Sequence, residues 1–312
     1  MTNRWKIIAA VMILAAIVFG RTLLWRRLIG SSANRTGAAL FGIGAREPVK
    51  PEAPDLIRTG TSSPDIAADA VFIERLRNHA VLYDRNGGER FPIASLTKLM
   101  TSLLLAEKAG PLTEIPFSES AKRVGAADDK RSAVAAGDSL KAEDVEKLLL
   151  IASDNDAAYA AAEHLGQAAG GAADFRGRIL HFVAMMNERA ASLGLTDTHF
   201  TNPAGSDDPE NYSTVRDIVT LASFILGEHP ELCAISRTRE AFVFGASGGR
   251  YSMVNTDSLL DEYPAIFGSK TGYEDDAKGT LLVLYQFAKD DFIAISILHS
   301  YDRLADGRKA IQ

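Results

Sequence analysis

The 312-residue chain is poor in the residues that hold metals or form cross-links, with one cysteine and six histidines. The single cysteine, Cys233, excludes an internal disulfide, and without a second cysteine or a cysteine–histidine cluster the pattern favours neither a zinc site nor a redox pair. The histidines do not fall at the His-Glu-x-x-His spacing or at another spacing typical of metal ligands. Cys233 is therefore predicted to be a small buried apolar residue.

Positive charge is scarce outside the first 50 residues. The net charge is −6, but residues 1–50 carry +7, so the remainder carries −13. Lysine and arginine supply most of the affinity for a phosphate backbone, so the acidic body argues against nucleic acid as a partner. The sequence also lacks internal repeats and heptad arrays. A hydrophobic content of 46% with 8% aromatic residues excludes a disordered or fibrous chain.

An unbroken run of apolar residues and glycine covers 7–20 and follows Arg4 and Lys6, which is typical of a secretory signal. Two outcomes are open: the segment is removed and the protein is secreted, or residues 1–29 stay as a membrane anchor. No small-x-small cleavage site follows the run closely, and this favours the anchor. Residues 30–64 are rich in Gly, Ser, Ala, Thr and Pro, and we predict a flexible linker there.

The anchor would place the rest of the chain at the cell membrane and outside the cytoplasm. The flanking charges argue partly against this orientation, because Arg26 and Arg27 make the segment after the run at least as basic as the segment before it. By the positive-inside rule such a flank stays in the cytoplasm. The expected orientation therefore depends on the chemistry of the remaining chain.

From about residue 65 onward, the spacing of apolar residues predicts strands at both ends of a domain and helices between them. The predicted strands lie at 71–76, 79–88, 268–273, 280–287 and 291–300. The predicted helices lie at 95–108, 141–152, 156–165, 175–193 and 214–226, with Gly166 and Gly227 expected to end two of them. A sheet assembled from distant parts of the chain indicates an α/β-type domain over 65–312.

Ser95 and Lys98 place a hydroxyl and an amine three residues apart at the start of a predicted helix, so that they are neighbours on one face. A serine attacks only when a base removes its proton, and a lysine can do this when its neutral form is favoured. The backbone N–H of Ser95 at a helix start would also face developing negative charge. Alone, this pair is a weak signal, because a chain of this length shows about one such spacing by chance.

Two further motifs follow along the chain. Ser153-Asp154-Asn155 joins two predicted helices and would project a hydroxyl and an amide into a cleft, or it would simply cap the two helices. Lys270-Thr271-Gly272 lies on a predicted strand, where a lysine and a hydroxyl could bind a carboxylate beside a glycine that permits close approach. An ordinary edge-strand lysine is the alternative.

The combination of the three motifs in this order is specific. With them come FPIASLTKLMT, IASDNDAAYAAAEHLG, FVAMMNERAASLGLTDTHFTNPAG, YSTVRD, NTDSLL and FGSKTGY. From about residue 65 to 301 the chain resembles the serine D-Ala-D-Ala carboxypeptidases, the low-molecular-mass penicillin-binding proteins. The resemblance implies a β-lactamase/transpeptidase-like α/β (α+β) fold: a five-stranded antiparallel sheet flanked by helices, plus a mostly helical subdomain at about 110–240.

The resemblance also implies a role for each motif residue. Ser95 would be the acylated nucleophile, Lys98 its base and Ser153 a proton relay to the leaving D-alanine. Asn155 would bind the substrate peptide, and Lys270 and Thr271 would hold its terminal carboxylate. Gly272 belongs to the same substrate-binding strand, and the N–H groups of Ser95 and Tyr273 would form the oxyanion hole. The partners that the resemblance implies are peptidoglycan peptides ending in D-Ala-D-Ala as substrates and β-lactams as covalent inhibitors. It implies no metal or organic cofactor.

Three departures from the family pattern stand out. Ser206 occupies a position where leucine is usual, and the segment after Tyr273, EDDAKGT, is unusually acidic. Phe292 lies where relatives often carry an arginine, so carboxylate binding would depend more heavily on Lys270. The chain also ends soon after the last predicted strand, which makes the N-terminal segment the expected tether.

Other functions use the same site residues. A D,D-endopeptidase has the same site and cannot be separated by sequence. A class A β-lactamase needs a glutamate in a Glu-x-x-Leu-Asn setting, and Glu188, the nearest candidate after Ser153, is followed by Arg-Ala-Ala-Ser. A non-catalytic peptidoglycan-binding relative would be expected to have lost Ser95 or Lys98, and both are present.

Overall fold

A computed structural model describes residues 64–125, 133–170 and 173–312 of the chain. The predicted anchor (1–29) and nearly all of the predicted linker (30–64) lie outside these residues. The strands are β1 (Ala70–Arg75), β2 (Ala80–Arg85), β3 (Phe91–Pro92), β4 (Glu114–Pro116), β5 (Ser139–Lys141), β6 (Tyr212–Ser213), β7 (Glu240–Phe244), β8 (Arg250–Val254), β9 (Ile266–Glu274), β10 (Lys278–Ala288) and β11 (Asp291–Ser300).

The helices are α1 (Thr97–Lys108), α2 (Glu119–Gly125), α3 (Ala142–Lys147), α4 (Asn155–Ala168), α5 (Phe175–Ser192), α6 (Val215–Glu228), α7 (Pro230–Ser236), α8 (Leu259–Glu262) and α9 (Arg303–Ile311). A 3₁₀ turn, Ala94–Leu96, leads into α1, and a π-helical turn, Leu148–Ala152, follows α3. Most helices lie between the first and last strands of the chain, as the apolar pattern predicts.

Five strands form one antiparallel sheet in the order β2-β1-β11-β10-β9. The sheet joins the two ends of the domain, because Ala70 on β1 is paired with Leu298 on β11. Strand β9, which carries the Lys270 motif, lies at one edge of the sheet. The predicted five-stranded antiparallel sheet is confirmed.

Both faces of the sheet are covered by helices. On β10, Leu282 and Leu284 pack into the larger hydrophobic core with α1 and the other central helices. Leu281 and Val283, which alternate with them, pack into a second core with residues of α8 and α9. Side chains alternate across a strand, so a strand buried on both faces has a continuous apolar sequence. This explains the uninterrupted run of apolar residues in β10.

The central helix α1 is buried along nine consecutive residues, from Thr97 to Leu105. A helix that is buried on all sides lies inside a domain, and here it lies between the sheet and the remaining helices. Its hydroxyl groups hold a neighbouring loop: the Thr101 hydroxyl donates to the Pro203 carbonyl at 2.7 Å, and the Asn211 side-chain amide donates to the Thr97 hydroxyl at 2.9 Å. Contacts within the protein therefore fix the position of α1 in the absence of substrate.

Two predicted helix ends are wrong. Helix α4 continues past Gly166 to Ala168, and α6 continues past Gly227 to Glu228. Gly166 is required by packing: a β-carbon at this position would lie 2.1 Å from the carbonyl oxygen of Arg178 on α5. Its function is thus the close crossing of two helices, which periodicity along one helix does not reveal.

Several elements had no sequence prediction, among them the hairpin β7–β8 and helix α9. The hairpin β7–β8 buries Val243, Tyr251 and Met253 on one face and is held by Asp138, which accepts hydrogen bonds from the Tyr251 hydroxyl (2.7 Å) and the Ser247 hydroxyl (2.7 Å). Burial raises the pKa of Asp138, but these hydrogen bonds outweigh it and lower the pKa to about 2. The second element, α9, covers the far face of the sheet after the last strand.

Among the residues that the structure describes, no single helix is long and apolar enough to cross a membrane. Helices α6 and α7 reach that length and composition only together, and they are bent by 110°. Within the same residues no three His, Cys, Asp or Glu side chains converge on a position for a metal ion. Cys233 is free and buried as predicted, and burial raises the pKa of its thiol to about 12.

Replacement of Gly166 by alanine tests the helix crossing. The added methyl group must displace the α5 backbone at Arg178, and we expect a loss of about 1–3 kcal/mol in the free energy of unfolding, the usual cost of overpacking. Gly227→Ala is the matched control, because a β-carbon there meets open space on α6. The control should be neutral or stabilising by up to about 1 kcal/mol. Equal effects of both variants in urea unfolding would contradict the crossing.

Candidate active site

Ser95 lies in the 3₁₀ turn between β3 and α1, one turn before the α-helix proper begins at Thr97. The turn is held from the sheet, because the Thr280 hydroxyl on β10 donates to the Ile93 carbonyl at 3.2 Å. Ala94, directly before the serine, has φ = 46°. A non-glycine residue in this region costs about 1–2 kcal/mol, and such strain is typically retained at functional sites. Ser95 itself is 1% exposed.

Lys98 is completely buried, and its amine makes three contacts. Nζ lies 2.6 Å from Asn155 Oδ1, 2.7 Å from the Ala204 carbonyl oxygen and 3.0 Å from Ser95 Oγ. A carbonyl oxygen only accepts hydrogen bonds, so Asn155 and Ala204 each take an N–H of the amine. Nζ also donates to Ser95 Oγ. A neutral amine has two N–H groups and one lone pair, so a neutral Lys98 that kept its two carbonyl acceptors would turn that lone pair to the Ser95 hydroxyl. The arrangement favours transfer of the serine proton to Lys98.

The Ala204 carbonyl is placed by a turn that follows α5. Asn202 Oδ1 accepts hydrogen bonds from three backbone N–H groups, those of Ala204 (3.1 Å), Gly205 (2.6 Å) and Ser206 (3.1 Å). One side chain thus organises the whole turn and points its Ala204 carbonyl at Lys98. Ser206 contributes its backbone to this turn, so the departure from the family's usual leucine leaves the turn intact.

Ser153 and Asn155 face the two lysines, while Asp154 between them caps a helix. Asp154 accepts a hydrogen bond from the Ala157 N–H at 2.8 Å as the N-cap of α4. The capping interpretation of this motif is therefore right for its middle residue. Ser153 has φ = 58° at the end of the π-helical turn, and its Oγ lies 2.9 Å from Lys270 Nζ. The left-handed backbone turns the serine toward the cleft.

Lys270 and Thr271 are buried on the edge strand β9 at 1% and 3% exposure. Lys270 Nζ contacts Ser153 Oγ and also donates to the Thr271 carbonyl at 2.7 Å. The Thr271 hydroxyl lies 2.6 Å from that of Thr256. Strand β9 and the loop of Ser153 are thus joined directly by one lysine, and the alternative of an exposed edge-strand lysine is excluded.

Gly272 allows β9 to approach the nucleophile. A β-carbon at this residue would lie 2.8 Å from the Ser95 backbone nitrogen and 2.5 Å from Thr280 Oγ1. Tyr273 follows and is 46% exposed at the mouth of the site. All eight predicted site residues therefore lie along one cleft between α1, the loop before α4 and the strand β9.

One charged residue near the cleft was missed from the sequence. Arg303, at the start of α9, is half-buried beside Gly279, and its Nε has no hydrogen-bond partner among the described residues. Burial lowers the pKa of Arg303 below its usual value, although nearby Asp257, Asp302 and Tyr273 raise it. A second cation thus lies near the mouth of the site.

Phe292, noted as a departure from the family pattern, packs edge-on against Phe267 with ring centroids 5.1 Å apart. This residue supplies no charge, whereas Arg303 lies close enough to Tyr273 for the two to interact electrostatically. The acidic segment after Tyr273 forms a bridge: the Asp276 N–H donates to Asp207 Oδ2 at 3.2 Å and joins two loops. Glu188, the candidate for a β-lactamase base, lines a surface groove with Lys108 and Arg189.

A buried serine, a lysine amine beside it and a second lysine on an edge strand are the groups that an active-site serine acyl-transfer enzyme requires. The peptidase S11 family, described as D-alanyl-D-alanine carboxypeptidase, matches residues 57–297, and the chain belongs to this family. The predicted family membership is thereby confirmed.

The relatives carry several names. D-alanyl-D-alanine carboxypeptidase DacF of Bacillus subtilis (strain 168) is 33% identical over 217 residues, which cover 68% of this chain and 52% of the relative. The D-alanyl-D-alanine endopeptidase of Escherichia coli (strain K12) is 28% identical over 252 residues, covering 78% and 75%. The chain thus spans about half the length of DacF. The crystal structure of the Streptomyces K15 DD-transpeptidase has the same fold, with a TM-score of 0.73 and 25% identity over 80% of this chain and 97% of that one.

Replacement of Gly272 by alanine should separate β9 from the nucleophile. The methyl group would meet the Ser95 backbone and the Thr280 hydroxyl, and a displacement of about 1 Å at an active site costs about 100-fold in rate. We expect acylation by a labelled penicillin to slow by 10-fold or more, together with a loss of about 1–3 kcal/mol in the free energy of unfolding from the overpacking. Gly88→Ala, where a β-carbon meets open space, is the control. Acylation of Gly272→Ala at the rate of the unmodified protein would show that the close approach is not needed.

Proposed function

We propose that this chain is a serine-type D-Ala-D-Ala carboxypeptidase that removes the terminal D-alanine from peptidoglycan stem peptides through an acyl-enzyme on Ser95. The observation that carries the proposal is the threefold contact of the Lys98 amine. In a neutral amine, these two fixed acceptors would occupy the N–H groups and leave the lone pair for the Ser95 hydroxyl. A lysine held in this way is the base that a serine nucleophile requires.

In the proposed reaction, the Ser95 proton passes to Lys98 as Oγ attacks the carbonyl carbon of the penultimate D-alanine. The oxygen of that carbonyl becomes an oxyanion, which the N–H groups of Ser95 and Tyr273 would stabilise. The C–N bond then breaks, and the leaving amine takes a proton through Ser153, whose hydroxyl contacts Lys270. The proton that leaves with D-alanine is the one that Lys98 took from Ser95. In the second step the oxygen of a water molecule bonds to the acyl carbon, the ester C–O bond breaks, and a proton of that water passes to Ser95 Oγ, which restores the enzyme without a cofactor.

The substrate carboxylate would lie beside β9. Lys270 and Thr271 supply an ammonium and a hydroxyl on one strand, and Arg303 adds a second cation near Tyr273. Charge-assisted hydrogen bonds of this kind are stronger than neutral ones and favour substrates with a free terminal carboxylate. Asn155, which already contacts Lys98, would bind the peptide backbone. β-Lactams, which also carry a carboxylate, would acylate the same serine.

A D,D-endopeptidase is the second candidate, because one relative with that name is similar along 78% of this chain. Both reactions pass through the same acyl-enzyme and differ in the leaving amine. A carboxypeptidase releases free D-alanine, whereas an endopeptidase releases the side-chain amine of a cross-linked peptide.

The domain would act outside the cytoplasm, attached to the membrane by residues 1–29 through the linker 30–64. The support is the apolar run at 7–20 and the extracytoplasmic position of peptidoglycan. Secretion after cleavage of this segment is the alternative. Membrane fractionation of the full chain, followed by N-terminal sequencing, distinguishes the two.

Labelling with a fluorescent penicillin tests the acyl-enzyme. We expect one label per chain on Ser95, none on Ser95→Ala, and a rate at least about 100-fold lower for Lys98→Met, because a positioned base contributes about 10²–10⁴-fold. Lys108→Met, an exposed lysine at the other end of α1, should label normally. Label on another residue, found by mass spectrometry, would exclude the proposed nucleophile.

Product analysis separates the two reactions. With a pentapeptide ending in D-Ala-D-Ala, a carboxypeptidase should release one equivalent of D-alanine, and with a cross-linked dimer it should release little monomer. The free carboxylate of the pentapeptide is the physical reason for this preference, since it can contact Lys270 and Thr271. Faster cleavage of the dimer than of the pentapeptide would favour the endopeptidase instead.

A further inference from the structure

A short segment between β8 and α8, Asn255-Thr256-Asp257, connects the two sides of the cleft. The Thr256 N–H donates to the Ile151 carbonyl at 3.2 Å, two residues before Ser153. The Thr256 hydroxyl lies 2.6 Å from the Thr271 hydroxyl on β9. Thr256 therefore touches both the loop that carries Ser153 and the strand that carries Lys270, although it belongs to neither motif.

The shape of this segment does not depend on the Thr256 side chain. Asn255 donates from Nδ2 to the carbonyls of Ser236 and Thr238, each at 2.8 Å. Asp257 accepts from the Leu259 N–H at 2.9 Å and from the Ser269 hydroxyl. These flanking side chains anchor the segment. The side chain of Thr256 is left exposed at the cleft with its hydroxyl on Thr271.

The donor in the contact between the Thr256 and Thr271 hydroxyls follows from the role of Thr271 in binding the substrate carboxylate. A hydroxyl has a single hydrogen to donate, and a substrate carboxylate can only accept. If Thr271 donated to Thr256, it would have no hydrogen for the carboxylate. Thr271 is available to the substrate only when Thr256 is the donor of the pair. In that arrangement the two hydrogen bonds form a chain and polarise each other.

We propose that Thr256 is a positioning residue, which donates its hydroxyl hydrogen to Thr271 and thereby turns the Thr271 hydrogen toward the terminal carboxylate of the substrate. The inference deepens the proposed function and depends on it. It assigns a role in carboxylate specificity to a residue outside the three motifs, one that acts through Thr271 rather than on the reacting atoms.

A double-mutant cycle on kcat/KM tests the proposal, with Thr256→Val, Thr271→Val and the double variant measured on a pentapeptide ending in D-Ala-D-Ala. Valine keeps the shape and removes the donor. We expect Thr256→Val to lower kcat/KM by about 3- to 10-fold, the equivalent of one hydrogen bond, chiefly through KM. In the Thr271→Val background the same change should have no further effect. Thr256→Ser, which keeps the hydroxyl, should stay within about 2-fold of the unmodified enzyme.

The controls separate this role from a structural one. The control is Thr238→Val. Thr238 lies near the end of α7, and its hydroxyl donates to the Ala234 carbonyl at 3.2 Å. This control should leave kcat/KM unchanged. Thermal unfolding of each variant reports any loss of stability. Three results would overturn the proposal. Thr256→Val could be fully active, the losses in kcat/KM of the two single variants could multiply in the double variant, or Thr256→Ser could be as impaired as Thr256→Val.

Measurements on the unmodified enzyme distinguish a failure of the proposed function from a failure of the role given to Thr256. If the unmodified chain is not acylated on Ser95 and releases no D-alanine, the proposed function fails and this inference fails with it. If the unmodified chain is active and the cycle shows no coupling, the proposed function stands and only the role of Thr256 is lost.

Discussion

The rest of the site depends on the burial of the Lys98 amine among three oxygen atoms. Each oxygen comes from a different part of the chain: Ser95 from the turn before α1, Asn155 from the start of α4, and Ala204 from the turn after α5. Burying an amine is costly unless its hydrogen-bonding groups are matched. The loops that carry these oxygens are therefore held in place by the lysine as much as they hold it, and catalytic geometry and local stability have the same origin.

Two of the seven non-glycine residues with positive φ in the described part of the chain lie at the same place. Ala94 and Ser153, which lie on opposite sides of the cleft, are both non-glycine residues with left-handed backbones. Ser153 also terminates a π-helical turn, an element that is frequent at functional sites. Each residue is held in an unfavourable conformation by well-packed surroundings: Ala94 by the sheet through Ile93, and Ser153 by the buried helices α3 and α4. The hydroxyl groups of Ser95, which follows Ala94, and of Ser153 are thus directed into the cleft at a cost in backbone strain that the hydrophobic core offsets.

The sequence predicted the parts of this structure that depend on short-range spacing. The Ser95–Lys98 contact follows from three-residue spacing on a helix, and the strands β9 to β11 follow from their apolar pattern. The assignment of Ser153, Asn155 and Lys270 to one cleft came from family resemblance, because no local pattern brings a helix junction to a sheet edge. Gly166 was misinterpreted, since a close contact with α5 leaves no periodic trace in α4.

Other parts had no usable signal or a neglected one. The hairpin β7–β8 does alternate apolar and polar residues around a glycine-rich turn, and that alternation was overlooked. By contrast, α9 is short, charged and contains Gly307, so its sequence does not predict a helix. It forms because its apolar residues cover the far face of the sheet. The positions of Thr256 and Arg303 at the cleft arise from tertiary contacts, and no spacing in the sequence indicates them.

The strand order has a consequence for how the enzyme comes into being. Strand β1 lies between β2 and β11, so the segment that precedes the nucleophile completes its pairing only with a strand that follows all three motifs along the chain. Contacts between such distant positions make folding slow and all-or-none. A nascent chain that ends after Asn155 already contains Ser95 and Ser153. It still lacks Lys270 and the strands β9, β10 and β11, so the sheet that supports the site cannot form. Activity should therefore appear only in a late step, after β11 has been made and has paired with β1.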